Sequence, residues 1–458
     1  MESADPFPMT FSPPVAPTHA ALAFLLTASW LLILAFQVRV VRQYRRLDEV
    51  LGPGERGADR SAAGVPGGAG ATGPLPPLSV VVTARDERES IERTVRSLLG
   101  QRYPGLEIVV VDDRSTDGTG AILDRLAAEA TAGAAGPGLT GNRPRLVVVH
   151  NTSLPAGWLG KCHACHVGAA RTRGDWILFT DGDVELLRED LLFRVVTLAG
   201  RLGLDHVAVT PDTRPMSPFQ AAVMGVFGLL FCAGARAHEI DRDRPRGGAG
   251  VGAFNLVRRT AYERVGGHTP LRMDPGDDFK LGRLLKESGA RQRLWDGVGL
   301  IRCPWHRGVA RIVRGLEKNF FAGLDYSAFL LVTLTLGLLF VTLAPPFLPF
   351  AGTAQVAGTP GWFRVLIWTP PALQAAALMI AAGVQTGRQG GNPVLLALLY
   401  PAALLVLLYA AWNSACATLR RGGIVWRGTF YPLADLRRGL VRRGAARGGV
   451  DAGASGLL

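Results

Sequence analysis

Two acidic residues follow a short apolar run near the middle of this 458-residue chain. Asp181 and Asp183 are separated by Gly182 and come just after the apolar run Trp176–Phe179. An unbroken apolar run of this length is typical of a strand buried on both faces of a parallel sheet. Ligands of open α/β sheets bind at the carboxyl ends of strands, where two carboxylates can hold a hard divalent cation. An Asp-x-Asp sequence is also common in solvated loops, so the neighbouring elements must decide between these interpretations.

Strands and helices alternate before this point. The sequence predicts strands at Leu78–Thr83, Glu107–Val111 and Arg145–His150, with an amphipathic helix at Ser90–Leu99. This alternation predicts an α/β fold with a mostly parallel, Rossmann-like sheet. Polar residues follow strand after strand, and parallel strands end at one edge of a sheet, so these residues are expected to form one site. They are Thr83, Arg85, Asp112, Asp113, Asp181 and Asp183.

Several motifs occur in a fixed order along this region. They are Ser79–Glu87, Gln101–Pro104, Glu107–Thr119, Gly157–Lys161, Gly174–Asp183 and Pro275–Gly282. Together they resemble the family 2 glycosyltransferases, which have the GT-A fold and use nucleotide sugars. The resemblance covers the region from Leu78 to Tyr326 and is nearest to the membrane-bound bacterial branch linked to carotenoid and other isoprenoid lipids.

The resemblance implies a donor-binding role for five residues. Thr83, Arg85 and Asp113 match positions that hold the nucleoside, with Asp113 reading the base edge of a UDP- or GDP-sugar. Lys161 matches a basic position near the diphosphate, which favours a compact cation. Asp181 would contact the ribose or a metal-bound water. A solvated surface lysine is the alternative interpretation of Lys161.

The resemblance also implies a metal and a catalytic base. Asp183, with Asp181, matches the motif for Mg²⁺ or Mn²⁺, which would stabilise the leaving nucleoside diphosphate. Asp278 matches the base that takes the proton from an acceptor hydroxyl during a single, inverting displacement. Because Asp277 stands where relatives often have Glu, either aspartate could be that base. The alternative is that one of them is the N-cap of a helix starting at Phe279.

Two local sequences limit the possible functions. Gln292–Trp295 lacks the Gln-x-x-Arg-Trp spacing of processive polysaccharide synthases, which favours transfer of one sugar to a lipid-like acceptor. A processive synthase, or a non-catalytic membrane protein on the same fold, is the alternative. The sequence Cys162–His166 resembles a zinc site, but four soft ligands within five residues cannot easily surround one tetrahedral ion. A helix following Lys161 is the preferred interpretation.

Composition indicates a membrane protein. The chain carries a net charge of +13, with only four lysines, and contains long apolar segments. An anionic membrane surface therefore explains the charge better than nucleic acid does. Five scattered cysteines indicate a reducing compartment and no disulfide framework.

The chain divides into six predicted regions. They are a disordered N-terminus (1–19), a transmembrane anchor (20–38), a basic and Gly/Pro-rich linker (39–77), the GT-A domain (78–326), a membrane region (327–413) and a basic tail (414–458). Arginines directly after the anchor, and none before it, place the catalytic domain in the cytoplasm at the bacterial inner membrane. A cleaved signal peptide would need a basic start and a small-residue cleavage site, and neither is present.

The apolar segments leave the topology in conflict. Ala328–Pro345, Val365–Val384 and Val394–Trp412 would give three crossings and an external arginine tail, whereas the positive-inside rule keeps that tail inside. Val365–Val384 is the predicted exception, because Pro370-Pro371 should break its helix. Phe219–Ala235 is either a membrane-contacting helix or a core helix. Gly422–Tyr431 is predicted to fold back onto the catalytic domain near the acceptor entrance.

Overall fold

A computed structural model describes residues 17–52, 75–134, 144–242, 246–304, 308–350 and 361–441. Most of the predicted N-terminal disorder, the Gly/Pro-rich part of the linker and the end of the basic tail lie outside these residues. The described strands are β1 (Leu78–Ala84), β2 (Glu107–Asp113), β3 (Arg145–Asn151), β4 (Trp176–Asp181), β5 (Glu185–Leu186), β6 (His206–Asp212), β7 (Asn255–Arg258), β8 (Gln292–Arg302), β9 (Gly423–Trp426) and β10 (Thr429–Pro432).

The described helices precede, alternate with and follow the strands. They are α1 (Pro17–Gln43), α2 (Leu47–Leu51), α3 (Ile91–Leu99), α4 (Thr119–Ala134), α5 (Gly160–Arg171), α6 (Leu191–Arg201), α7 (Pro218–Ala235), α8 (Arg259–Arg264), α9 (Asp277–Glu287), α10 (Val309–Leu316), α11 (Phe320–Gly323), α12 (Ala328–Phe347), α13 (Gly361–Gln389), α14 (Pro393–Arg421) and α15 (Leu433–Arg438).

The first eight strands form one sheet, in the order β3-β2-β1-β4-β7-β6-β8-β5. β1 pairs in parallel with β2 and β4, β2 with β3, and β6 with β8. β7 runs antiparallel between β4 and β6, and β5 runs antiparallel to β8. The predicted α/β fold with a mostly parallel sheet and apolar helices at both ends is therefore confirmed.

The central strands are buried on both faces, as their unbroken apolar sequences predict. Every residue of β2 is buried, and in β4 only the terminal Asp181 is partly exposed. β1 has the same pattern, with Thr83 partly exposed at its end. The strand ends that reach solvent are thus the ends that carry the polar residues. In α3, Ile91, Val95 and Leu98 are buried, and the predicted amphipathic helix is confirmed.

Five of the described helices are long and apolar enough to cross a membrane. They are α1, α7, α12 (continued to Phe350), α13 and α14. Residues after α1, which fall in the predicted linker, pack on the sheet domain: Leu47 is fully buried, and the Arg194 guanidinium donates to the carbonyls of Leu51 and Gly52 at 2.5 and 2.7 Å.

Helices α1, α12 and α13 extend away from the sheet domain. The first half of α1 packs against the first half of α13 through Ala23, Leu26, Phe363 and Ile367. At the other end of α13, the Arg388 guanidinium pairs with Asp296 of the domain at 3.1 Å. Helix α12 starts at the domain, and near its far end the Val341 carbonyl accepts from the Trp30 indole at 3.1 Å.

The prediction that Pro370 and Pro371 break a helix is wrong, because α13 runs through both. Packing explains the exception. Pro370 lies on the buried face of the helix, and four residues further on Gln374 donates to the Thr342 carbonyl of α12 at 2.7 Å. The Thr369 hydroxyl donates to the Val365 carbonyl at 2.7 Å. Packing against neighbouring helices can hold together an apolar helix that contains proline.

Helix α14 differs from α1, α12 and α13, because both of its ends contact the sheet domain or segments attached to it. Near its start, the Tyr400 hydroxyl donates to the Gln385 side-chain oxygen at 2.8 Å. Gln385 lies three residues before Arg388, which pairs with Asp296 of the domain. Near its end, Arg421 pairs with Glu317 at 2.6 Å. One face is buried along most of its length, and the opposite face exposes an almost wholly apolar row at intervals of three and four residues: Leu398, Ala402, Leu405, Tyr409, Trp412, Cys416 and Leu419.

Candidate active site

Three parallel strands deliver the predicted site residues to one edge of the sheet. β1 ends at Ala84, one residue before Arg85, and pairs with β2, which ends at Asp113, and with β4, which ends at Asp181. In the register of the sheet Thr83 is the direct neighbour of Asp181. The predicted convergence of these polar residues at one edge is therefore observed.

Lys161 pairs with Asp181 at the centre of this edge. Its ammonium lies 2.7 Å from the Asp181 carboxylate, with 22% of the lysine side chain exposed. Lys161 is the second residue of α5, whose start faces the end of β4. It is thus part of the carboxylate cluster, and the interpretation of Lys161 as a solvated surface lysine is wrong.

Asp278 faces the same point from another element. A Cβ atom placed on Gly252 would lie 2.7 Å from carboxylate oxygens of both Asp181 and Asp278 and 3.1 Å from the Lys161 Nζ. The three side chains therefore surround a space that only a glycine leaves open. This space lies between Asp181, on the predicted donor side, and Asp278, the predicted base.

Asp183 adds a third carboxylate, which faces Glu87. Burial, then the charges of Asp181 and Glu87, raise the Asp183 pKa to about 6. The Cys303 thiol donates to its carboxylate at 3.7 Å. Three carboxylates with one nearby lysine leave an excess of negative charge, and oxygen donors suit Mg²⁺ or Mn²⁺. The donor set therefore fits the predicted metal.

Asp277 and Asp278 have different surroundings. Asp277 is 2% exposed and points into the domain, with an oxygen 3.9 Å from His268 Nε2, whereas Asp278 is only partly buried and lines the open side. Burial raises the Asp277 pKa to about 7. The alternative interpretation of one aspartate as the N-cap is wrong: α9 begins at Asp277 with Gly276 as its N-cap, and both aspartates lie in its first turn.

One large cavity includes these residues and continues between the apolar helices. Its volume is about 1740 Å³. At one end it is lined by the carboxylates and Lys161, and elsewhere by apolar side chains from α7, α12, α13 and α14. Examples of the latter are Met224, Phe231, Leu334, Leu338, Ile380 and Leu407.

The sequence model described as glycosyl transferase family 2 matches residues 79–266. The chain contains a family 2 glycosyltransferase domain. The match includes strands β1 to β7 and the residues Thr83, Arg85, Asp113, Lys161, Asp181 and Asp183. The resemblance drawn from the sequence motifs is confirmed.

Curated relatives share this part of the chain. A 4,4'-diaponeurosporenoate glycosyltransferase of Staphylococcus aureus (strain bovine RF122 / ET3-1) is 24% identical over 250 residues, which are 54% of this chain and 61% of that protein. A protein of the same name from Staphylococcus haemolyticus is 22% identical over 253 residues, with the same coverage. The chain thus spans about 61% of the length of these relatives.

Solved structures show a more distant likeness. The mannosyltransferase PcManGT of Pyrobaculum calidifontis, in complex with GDP-Man and Mn²⁺, is 19% identical, with a TM-score of 0.44 over 88% of this chain and 99% of that chain. TarS 1-349 of S. aureus, in complex with UDP-GlcNAc, is 14% identical, with a TM-score of 0.36 over 77% of this chain and 95% of that chain.

The predicted nucleoside residues of the family 2 domain form a charged cluster. Asp113 is 3% exposed, and its carboxylate accepts from the Arg114 guanidinium at 3.0 and 2.8 Å. Arg85 lies 3.7 Å from the same carboxylate. Both oxygens of the Asp113 carboxylate are thus already paired with Arg114, a residue that the sequence analysis did not single out.

A hairpin from beyond the apolar helices covers this cluster. β9 and β10 pair in an antiparallel ladder. The Arg427 guanidinium pairs with Glu87 at 2.8 Å, and its carbonyl accepts from Arg85 at 2.6 Å. The Tyr431 hydroxyl accepts from the Gly160 amide at 3.3 Å. The prediction that Gly422–Tyr431 returns to the catalytic domain agrees with this fold, but the contact is on the nucleoside side.

The Cys/His sequence after Lys161 is helical, as preferred from the sequence. Cys162 and Cys165 are buried, whereas the rings of His163 and His166 lie 5.6 and 4.9 Å from the Trp158 ring. The cysteines and histidines thus have different surroundings. Among the described residues, the one set of three or more His, Cys, Asp or Glu side chains whose ligand atoms all lie within 4.8 Å of one another is Cys165 with His268 and Asp277, and it does not include His163 or His166.

We expect Gly252→Ala to lower turnover by roughly 100-fold, the effect of about 1 Å of misplacement among reacting groups. Its methyl group would collide with the mobile ends of three side chains, so the protein should still fold. Steady-state kinetics and a melting curve test this. Gly200→Ala in α6, with no atom within 4 Å of the added carbon, is the control. Wild-type turnover in a folded Gly252→Ala protein would contradict the assignment of this space to the reaction.

Proposed function

We propose that this protein is an inverting, membrane-attached glycosyltransferase that moves one sugar from a UDP- or GDP-sugar to a lipid-like acceptor of the isoprenoid type. The observation that carries the proposal is the shared cavity, which is lined by both the carboxylate cluster and the apolar helices. A water-soluble donor requires charged groups, and a hydrocarbon acceptor requires an apolar wall. The curated relatives are 4,4'-diaponeurosporenoate glycosyltransferases, which supports an acceptor of the carotenoid class.

The donor would lie along the edge formed by β1, β2 and β4. Thr83, Arg85 and Asp113 would hold the nucleoside, and Lys161 would approach the diphosphate. Asp183 and Asp181 would hold Mg²⁺ or Mn²⁺, and the charge of that ion would stabilise the leaving nucleoside diphosphate. Since Asp181 is already paired with Lys161, Asp183 would be the main ligand.

Asp278 would act as the general base. An acceptor hydroxyl oxygen attacks the anomeric carbon while the bond from that carbon to the diphosphate oxygen breaks. The hydroxyl proton passes to the Asp278 carboxylate, and the anomeric configuration inverts. Both aspartates line the cavity, but Asp278 is the more exposed and approaches Asp181 across Gly252, whereas Asp277 is 2% exposed and lies beside His268. This difference favours Asp278 for direct contact with the acceptor.

The direct test is to incubate membranes containing the protein with a panel of labelled nucleotide sugars and then to extract the lipids. We expect label in one lipid product that carries a single sugar. Membranes without the protein are the control. Products that lengthen at high donor concentration would favour a processive synthase, and the absence of label with every donor would contradict the proposal.

We also propose that α1, α12 and α13 cross the membrane and that α14 lies along its cytoplasmic surface. Both ends of α14 contact the domain side, and its exposed row is apolar from Leu398 to Leu419, as in a helix lying in the interface. This makes α14, and not the predicted Val365–Val384, the segment that does not cross. The basic tail then stays inside, and the conflict with the positive-inside rule disappears.

Cysteine labelling in intact cells tests this topology. In a protein without native cysteines, single cysteines would replace Gly361 at the start of α13, Glu189 on the domain and Val425 on the hairpin. An impermeant maleimide should label only position 361 until the membrane is opened, since the other two sites face the cytoplasm. Labelling at position 425 but not at position 189 in intact cells would show that α14 crosses the membrane.

A further inference from the structure

Lys318, the last of the four lysines in the sequence, lines the cavity and lies outside the matched family region. Lys318 lies between α10 and α11, and its ammonium lies 3.9 Å from the centre of the Trp426 ring. It donates to the Asn319 side-chain oxygen at 3.0 Å. Within the described chain no carboxylate lies within 4.0 Å of it, in contrast to Lys161, which is paired with Asp181.

The adjacent acid does not serve as its counter-ion. Glu317 pairs through one carboxylate oxygen with Arg421 at 2.6 Å and accepts through the other from the Asn413 amide at 3.3 Å. Both of these partners belong to α14. The Ser414 hydroxyl, also in α14, donates to the Glu317 carbonyl and accepts from the Phe321 amide at 3.0 Å. Helix α14 thus fixes the backbone on both sides of Lys318. Its Arg421 also neutralises Glu317, the acid adjacent to Lys318.

The ring of Trp426 fixes the ammonium group itself. Trp426 belongs to the hairpin that contacts Arg85 and Glu87, so the same segment reaches the nucleoside side and Lys318. Burial, followed by the charge of Lys161, lowers the Lys318 pKa to about 8. The carboxylates of Asp181, Asp277 and Asp278 oppose this shift only in part. An oriented, partly desolvated cation facing a cavity favours an anionic ligand.

We propose that Lys318, oriented by Trp426 and Asn319, is an anion-binding residue of the active-site cavity. Its ligand is an oxygen of a phosphate or carboxylate group. Resting on the proposed function, two sources supply this chemistry: the diphosphate of the donor, which Lys318 would hold together with Lys161, or a carboxylate at the reacting end of the acceptor. A carboxylate acceptor is already ionised and needs no base, so the two sources have different consequences for the reaction.

Binding measurements on the purified full-length protein separate these sources without any turnover. Lys318→Met removes the charge and keeps the side-chain length, Lys318→Arg keeps the charge, and Arg420→Met removes an exposed charge at the end of α14 as a control. The first pair of probes is UDP and GDP with Mn²⁺, compared with uridine and guanosine. The second pair is retinoic acid and retinol. Their binding is measured by energy transfer from the tryptophans of the protein.

If the donor is the source, Lys318→Met should weaken nucleoside diphosphate binding by about tenfold or more and leave nucleoside binding unchanged, as expected for one charge-assisted hydrogen bond. If the acceptor is the source, retinoic acid binding should weaken to the same degree and retinol binding should not. Lys318→Arg should retain most of the affinity in either case, and Trp426→Leu should weaken the same probe.

Unchanged binding of all these probes by Lys318→Met would overturn the proposal, as would equal weakening of the charged and uncharged members of each pair. Should Lys318→Met fail to fold, Trp426→Leu provides the same comparison. The outcome is independent of the proposed transfer reaction. Wild-type protein that binds the charged probes through Lys318 but transfers no sugar would refute that function and leave the anion site intact.

Discussion

Asp183→Ala is expected to abolish both metal-dependent donor binding and sugar transfer. Within the described chain, Lys161 pairs with Asp181 of the Asp-x-Asp sequence, and Asp183 has no lysine partner. Asp183 is therefore expected to be the main ligand of Mg²⁺ or Mn²⁺. Titration with Mn²⁺ in the presence of a nucleoside diphosphate measures the loss directly. Wild-type protein in chelator should behave in the same way. Full activity of the variant in chelator would refute the metal assignment.

The pH dependence of metal binding provides a second test. The Asp183 pKa is raised to about 6, and only the ionised carboxylate binds the metal. Mn²⁺ affinity should therefore be nearly constant above pH 7 and fall by up to about tenfold per unit below pH 6. A carboxylate with an ordinary pKa, 3.8, would keep its affinity down to about pH 4. A profile of that kind would show that Asp183 is not the titrating ligand.

The same shift predicts a gain in stability for Asp183→Asn. Because the folded-state pKa lies above the ordinary value of 3.8, ionisation of Asp183 costs folding stability, and the cost grows as the pH rises through the interval up to about 6. In chelator at pH 7.5 the variant should melt at or above the wild-type temperature, and near pH 4 the difference should vanish. A lower melting temperature at pH 7.5 would mean that the carboxylate is structural, not strained.

Asp278→Asn is expected to keep donor binding and to lose transfer to a hydroxyl acceptor by roughly 100-fold or more, because an amide cannot accept the proton. Single-turnover measurement with pre-bound donor separates the two effects. Asp277→Asn is the matched comparison: its carboxyl group is buried beside His268, and it should leave the transfer step less affected. If donor affinity collapses in Asp278→Asn while bound donor still reacts, Asp278 belongs to the donor site.

The edge of the sheet could be predicted because its signals are local. A strand such as β4 is recognisable from a few consecutive apolar residues, and the direction of a parallel sheet then places Asp181 beside Thr83. Local sequence also predicted a helix directly after Lys161, and α5 begins one residue before it, at Gly160. In each case a short sequence determines the element, and the element determines where the side chain lies.

The parts that escaped prediction depend on distant segments. Arg427 pairs with Glu87 across 340 positions of the chain, and no local pattern specifies that pairing. Helix α14 is as hydrophobic as a crossing helix, so hydropathy alone could not suggest the position proposed for it along the membrane surface. One signal was present: its buried face is rich in small residues such as Ala403, Ala410 and Ala415, which allow close helix packing.

The position of the hairpin has a consequence for biosynthesis. The β9–β10 hairpin contacts Arg85 and Glu87 but is separated from them in the chain by α12, α13 and α14. A ribosome therefore releases the hairpin only after those apolar helices have emerged. A nascent chain can form the sheet and its carboxylate cluster early, but the wall beside Arg85 is added last. Under the proposed function and topology, completion of the nucleotide-binding side is thus coupled in time to insertion into the bilayer, and an uninserted chain would carry an unfinished site.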